Sequence, residues 1–134
     1  MPFTIAIDRE QGLARVRFEG TTTGRDIIAA TDALVAHPDY DASFDQLWVL
    51  TDVSQLIVEP DEMKALVAND QALVEAGAMG RVRVGIVVIG ELRQLFIHLY
   101  EYQMRASGQE IRLFDTEGAA MAWLRGERAE RRAG

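Results

Sequence analysis

The sequence contains no cysteine. That excludes disulfides, thiolate metal sites, iron–sulfur clusters and cysteine nucleophiles. Only 2 histidines are present, which leaves little for a metal site or a Ser/His triad. Only 3 prolines interrupt the 134 residues, so the chain lacks the composition of a disordered segment. Basic residues are the minority, 14 against 21 acidic ones, for a net charge of −7. A duplex-binding domain shows a basic face, and none is visible outside the extreme C-terminus. Long hydrophobic runs are missing too. The longest, Val84–Ile89, contains Gly85 and falls far short of the roughly 20 residues of a bilayer span. The opening Met-Pro-Phe-Thr-Ile-Ala-Ile-Asp has neither the basic segment nor the apolar stretch of a signal peptide. These absences predict a cytoplasmic protein with no nucleic-acid partner, membrane span, cofactor or metal.

What is present is a globular composition, 49% apolar and 26% charged. The length suits one domain. At this size folding removes roughly two-thirds of the unfolded chain's surface from water, enough for a core without staples.

Phe3, Ile5 and Ile7 alternate with Thr4, Ala6 and Asp8, and Leu13–Phe18 alternates likewise. Gly12 lies in the turn between them, so the pair reads as a hairpin that ends near Gly20. Thr23 suits a helix N-cap, with Asp26 in the first turn. Ile27, Ile28, Thr31, Leu34 and Val35 follow at helical spacing, and His37-Pro38 ends the helix. Residues 39–46 are polar and read as a loop. Leu47–Leu50 reads as a short buried strand, followed by Asp52-Val-Ser54. Pro60-Asp-Glu opens a second helix that ends at Gly77. Val82–Ile89 carries the strongest strand pattern, and 91–105 reads as a third helix. Ile111–Phe114 is a last strand. Asp115-Thr-Glu-Gly opens a last helix, which buries Ala119, Ala120, Trp123 and Leu124. The order is ββαβαβαβα, an α/β domain with a five-stranded mixed, mostly parallel sheet and four helices. Residues 1–124 read as the domain and 125–134 as a short charged tail.

Several phrases together resemble the STAS, or anti-sigma-factor-antagonist, fold and its SpoIIAA-like bacterial branch. They are Phe18-Glu-Gly20, Ala36–Tyr40, Leu50–Ser54, Val82–Ile89 and Leu113–Leu124. The resemblance spans residues 3–124. It implies a cytosolic interaction module, often switched by phosphorylation of a Ser or Thr at the start of the second helix. A phosphate there would meet free backbone N–H groups and a positive dipole end. Here the corresponding stretch, Ile57–Glu62, carries no hydroxyl, and the nearest one is Ser54.

Candidate chemistry is sparse. Asp52 and Ser54 sit just past a central strand, where open α/β sheets bind ligands. They line a ligand or partner edge, or they fix the local turn. Glu59, Asp61 and Glu62 cluster at a helix start, as caps or as a negative partner-facing patch. Gly85 and Gly90 are five apart, but Glu91-Leu92 follows where a P-loop needs Lys and Ser/Thr. His37 reads as a helix-end residue and His98 as a surface residue between Gln94 and Glu101. Arg93, Ile97, Tyr100 and Met104 form a stripe apart from Leu92, Leu95 and Leu99. It is a self-association or partner surface, or an internal packing face. No nucleophile–base pair stands at a recognisable spacing. The expected function is a non-catalytic cytoplasmic protein-interaction module lacking the phosphoacceptor, with a homodimer among its assemblies. The alternative is a small-molecule or lipid-binding domain with an apolar pocket between helices and sheet.

Overall fold

The structure, a computed structural model, describes residues 2–94, Ile97 and residues 109–133, with 127–133 as backbone only. The expected hairpin is there: β1 (Phe3–Asp8) pairs antiparallel with β2 (Leu13–Thr23). Gly12 adopts φ 63° in the turn, a conformation that costs a side chain 1–2 kcal/mol by order of magnitude. Then come α1 (Gly24–Ala36), β3 (Asp45–Ile57) and α2 (Pro60–Glu75). They are followed by β4 (Arg83–Val87) and a third helix, α3, of which residues 91–94 and 97 are described. β5 (Glu110–Phe114) and α4 (Glu117–Ala133) complete the chain. The sheet order is β1-β2-β3-β4-β5, and every pair after the hairpin is parallel. The expected α/β architecture, with its mixed and mostly parallel five-stranded sheet, is therefore the one observed.

Each face of the sheet has its own core. On one face Val16, Phe18, Leu50 and Ile86 meet Ile27 and Leu34 of α1 and Leu66 of α2. On the other face Leu47, Val49 and Val87 meet Ala120, Met121 and Leu124 of α4. β2 shows how the period-2 pattern serves this arrangement. Ala14, Val16 and Phe18 enter the first core, while Arg15 and Arg17 reach Glu117 of α4 on the other side.

β3 departs from expectation. Its first residues, Asp45 and Gln46, lie in the stretch read as a loop and are almost fully buried. The Asp45 carboxylate accepts a hydrogen bond from the Arg83 backbone N–H at 3.1 Å, so a polar residue opens a buried strand with a partner in place. At the other end β3 runs on to Ile57. Asp52 and Ser54 therefore lie inside the strand, not in a turn past its end. The reason is β2, which also overruns its expected end at Gly20 and continues to Thr23. Beyond Val49, the last β3 residue facing β4, only β2 supplies a strand partner among the described residues. The result is a two-stranded parallel ribbon that projects past the sheet. Its residues are Glu19–Thr23 and Asp52–Ile57.

The ribbon is not in ideal register. Arg17 pairs with Val49 but Glu19 pairs with Asp52, and Gly20 pairs with Val53 but Thr21 with Gln55. Each step inserts one extra residue into β3. The first slip lets Leu50 and Val53 face the same core although they are three apart. It also places Asp52 on the side of Arg17.

Candidate functional site at the carboxyl-terminal edge of the sheet

In a parallel α/β sheet each helix starts where the preceding strand ends. α1 follows β2 and α2 follows β3, so two helix starts come together at one end of the ribbon. Both carry unpaired backbone N–H groups and a partial positive charge. α1 is capped as expected. The Thr23 hydroxyl accepts from the Asp26 N–H at 3.2 Å, and the Asp26 carboxylate accepts from the Thr23 N–H at 2.8 Å. This is a reciprocal capping box.

α2 uses its third residue for two helices at once. Glu62 Oε1 accepts from the Glu59 N–H at 2.9 Å, which closes the start of α2. Glu62 Oε2 accepts from the Arg25 N–H at 3.2 Å, in the first turn of α1. One carboxylate thus satisfies an amide on each helix and places its charge between two positive dipole ends. Its side chain is only 17% exposed. The close fit needs a glycine: a Cβ at Gly24 would lie 2.7 Å from the Glu62 Cβ. Sequence reading grouped Glu62 with Glu59 and Asp61 but did not single it out. The capping-box spacing signalled its bond to Glu59, whereas the bond to α1 is tertiary and has no local signal.

The residues singled out from sequence fall in different places. Glu59 is the exposed N-cap of α2, and Asp61 is exposed in its first turn. Asp52 is exposed on the ribbon and joins an ion-pair group beneath it. Arg17 Nη2 reaches both carboxylate oxygens of Glu117 at 3.0 Å, and Arg17 Nη1 reaches Asp52 at 3.3 Å. The Glu117 hydrogen bond is the main cause that raises the Arg17 pKa above its ordinary value. Ser54 is exposed on the ribbon. Arg93 forms an ion pair with Asp115 at 2.6 Å, across the gap between the start of α3 and the end of β5. Ile97 is half-buried, whereas Tyr100, Met104 and His98 lie outside the described residues. His37 closes α1, and its Nδ1 accepts from the Asp39 N–H at 3.1 Å.

The ribbon tip is apolar. Ile57 is 39% exposed, between half-buried Leu56 and Val58, and the acidic start of α2 follows directly. Ile89, 49% exposed just past β4, is a second large apolar side chain at this end of the sheet.

A partly open cavity of about 40 Å³ lies between α1, α2 and the sheet. Phe18, Trp48, Leu66 and Ile86 form apolar walls, and Thr31, Gln46 and Asp70 also line it. Its volume suits one or two waters, against the roughly 300 Å³ and more of an organic-ligand pocket. Among the described residues no cluster of three or more His, Asp or Glu side chains could hold a metal. Among them also, no helix is long and apolar enough to cross a membrane.

Comparison with known proteins gives the fold its place. No protein-family model matches the chain, and no curated protein does. Solved structures do match. One is a protein of the DUF3478 family with a SpoIIAA-like fold, from Shewanella loihica PV-4. It shares 20% identity at a TM-score of 0.57, over 91% of this chain and 93% of that one. Another is the anti-sigma factor antagonist SpoIIAA in its unphosphorylated form. It shares 17% identity at a TM-score of 0.51, over 92% of this chain and 98% of that one. Nearly end-to-end coverage in both directions, with the same α/β layout, shows that this chain has the SpoIIAA-like, or STAS, fold.

Proposed function

We propose that the chain is a non-catalytic, cytoplasmic protein-interaction module whose recognition surface is the carboxyl-terminal edge of the sheet. The observation that carries this reading is Ile57, 39% exposed at the ribbon tip between Leu56 and Val58, which pack against the core beneath. Ile57 and Ile89 are the large apolar side chains exposed among the described residues, both at this end of the sheet, and exposed apolar surface marks interaction sites. Glu59 and Asp61 follow Ile57 and favour a partner with an apolar anchor and basic flanks. Asp52 and Ser54 line the same ribbon.

The module works by occupancy rather than by phosphorylation at the start of α2. Residues 57–62 offer no hydroxyl, and the Glu62 carboxylate already holds amides of both helix starts. The similar solved structure of an anti-sigma factor antagonist supports a regulatory partner, and the domain acting in this way spans 1–124. The small-molecule or lipid reading rests on the cavity between α1, α2 and the sheet, whose volume argues against a lipid.

A native mass spectrum of the untagged chain tests the choice. Clean multiples of 14.9 kDa support the interaction module. A reproducible added mass would replace it with the ligand reading. The second arm is quantitative cross-linking of partners to the wild type and to Ile57→Asp. Partners held by the wild type and lost by the variant place recognition at the tip, and equal capture by both would remove it from there.

A further inference from the structure

β1 forms one edge of the sheet. Among the described residues, no strand pairs with its outer side. Natural proteins blunt such edges with lysine, proline, bulges or inward charges. Here β1 keeps unbroken register with β2 over six pairs, and its first charge is Asp8, at the last position. Ile5 and Ile7 are only half-buried at this edge, so apolar surface accompanies the open backbone.

We infer that the β1 edge is a self-association surface, on which a second copy of this chain adds its own β1 antiparallel to make one ten-stranded sheet. The argument is self-complementarity. A two-fold axis perpendicular to the sheet continues each face into the same face of the second copy. Residues of like parity then pair. Pairing about Ala6 sets Ile5 against Ile7 of the second copy, twice by symmetry, and Ala6 against itself. It sets Thr4 against Asp8 of the second copy, where a hydroxyl can donate to a carboxylate. Arg9 comes opposite Phe3. No like charges meet, although the chain carries −7 overall. A six-residue edge covers roughly 400 Å² per copy, about half of a standard-size interface, so the dimer is reversible and depends on concentration. This surface is distinct from the ribbon tip and does not rest on the reading given for it.

Sedimentation equilibrium of the full chain, from low micromolar to millimolar concentration, tests the inference. The wild type moves from 14.9 kDa toward twice that mass. Ala6→Glu stays monomeric, because the new carboxylate meets its own copy across the axis. It should fold, since Ala6 faces Arg15 within the hairpin. Thr4→Lys, which puts an ammonium opposite Asp8 of the second copy, shifts dimerisation to lower concentration severalfold. Should Ala6→Glu fail to fold, the Thr4→Lys shift alone decides. A wild type that stays monomeric throughout overturns the inference. So does a dimer that Thr4→Lys does not tighten, which would place self-association on another surface.

Discussion

Removing the Glu62 carboxylate should loosen two helices together. In Glu62→Ala, the Glu59 and Arg25 amides lose their acceptor at once. Loss of a single cap costs about 1 kcal/mol, within a range of roughly 0.5–2. Two caps therefore sum to about 2 kcal/mol. The Glu62–Arg25 ion pair adds little, because the Arg25 side chain is 88% exposed and the charges are 3.9 Å apart. For a chain of this size the loss corresponds to a fall in Tm of roughly 6–10 °C. Glu62→Gln keeps one carbonyl acceptor and should lose about half as much. Urea and thermal unfolding followed by circular dichroism measure both. The loss should change little between low and high salt, since short amide bonds rather than distant charges carry it. A drop in stability below about 0.5 kcal/mol for Glu62→Ala would refute the bridging role, since that is the range of ordinary surface substitutions. Gly24→Ala supplies an independent check. Its new Cβ would lie 2.7 Å from the Glu62 Cβ, so the clash should persist in Glu62→Ala and be relieved only by Glu62→Gly.

Other outcomes follow from features described above. Leu66→Ala, in the cavity wall and almost fully buried, should cost about 2–5 kcal/mol in urea unfolding; a cost below 1 would mean that the walls collapse freely. Uncoupling Arg17 from Glu117 in a double-mutant cycle should show a coupling of about 1 kcal/mol or less that shrinks with salt, because both side chains are over a third exposed. The Asp41 carboxyl, which accepts from the Ser43 hydroxyl and N–H, has its pKa lowered mainly by that hydroxyl. Its folded value lies below the unfolded one, so its stabilising effect is complete above the usual aspartate range and fades as pH falls through the lowered value. A carbon-detected NMR titration of Asp41 with a midpoint at or above the ordinary aspartate value would remove that effect. Tyr40 moves the other way, because burial raises its pKa. Stability from the neutral phenol is full below the ordinary tyrosine value and fades at more alkaline pH, which an ultraviolet titration of wild type and Tyr40→Phe would show.

Local rules carried much of the fold. The hairpin, the Thr23 cap, the His37-Pro38 stop and the proline start of α2 each depend on neighbours within a few residues, and each stands where the sequence places it. The long β3 did not show in the sequence, because its polar second half survives as strand only through pairing with a β2 that is itself extended to Thr23. Nor did the burial of Asp45, which depends on the Arg83 amide 38 residues away. The Glu62 bridge was legible only as one acid of a cluster at the start of α2; neither its bond to the Glu59 amide nor its bond across to α1 was read from the sequence. Asp52 was read as lining a ligand or partner edge or as fixing a turn, and the turn does not form. Its observed partner, Arg17, lies on another strand and meets it only because β3 slips against β2.

Those slips leave segment length less constrained than the side chains around it. Removing Thr51 would close the first slip, because Asp52 would then stand two residues past Val49, still opposite Glu19 and on the Arg17 side. Leu50 and Val53 would face the apolar layer under α1 and α2 by plain alternation. A deletion of Thr51 should therefore be milder than a deletion of Leu50, which would turn Thr51 into that layer in its place. A one-residue deletion in the 38–44 connection leaves every strand register as it is.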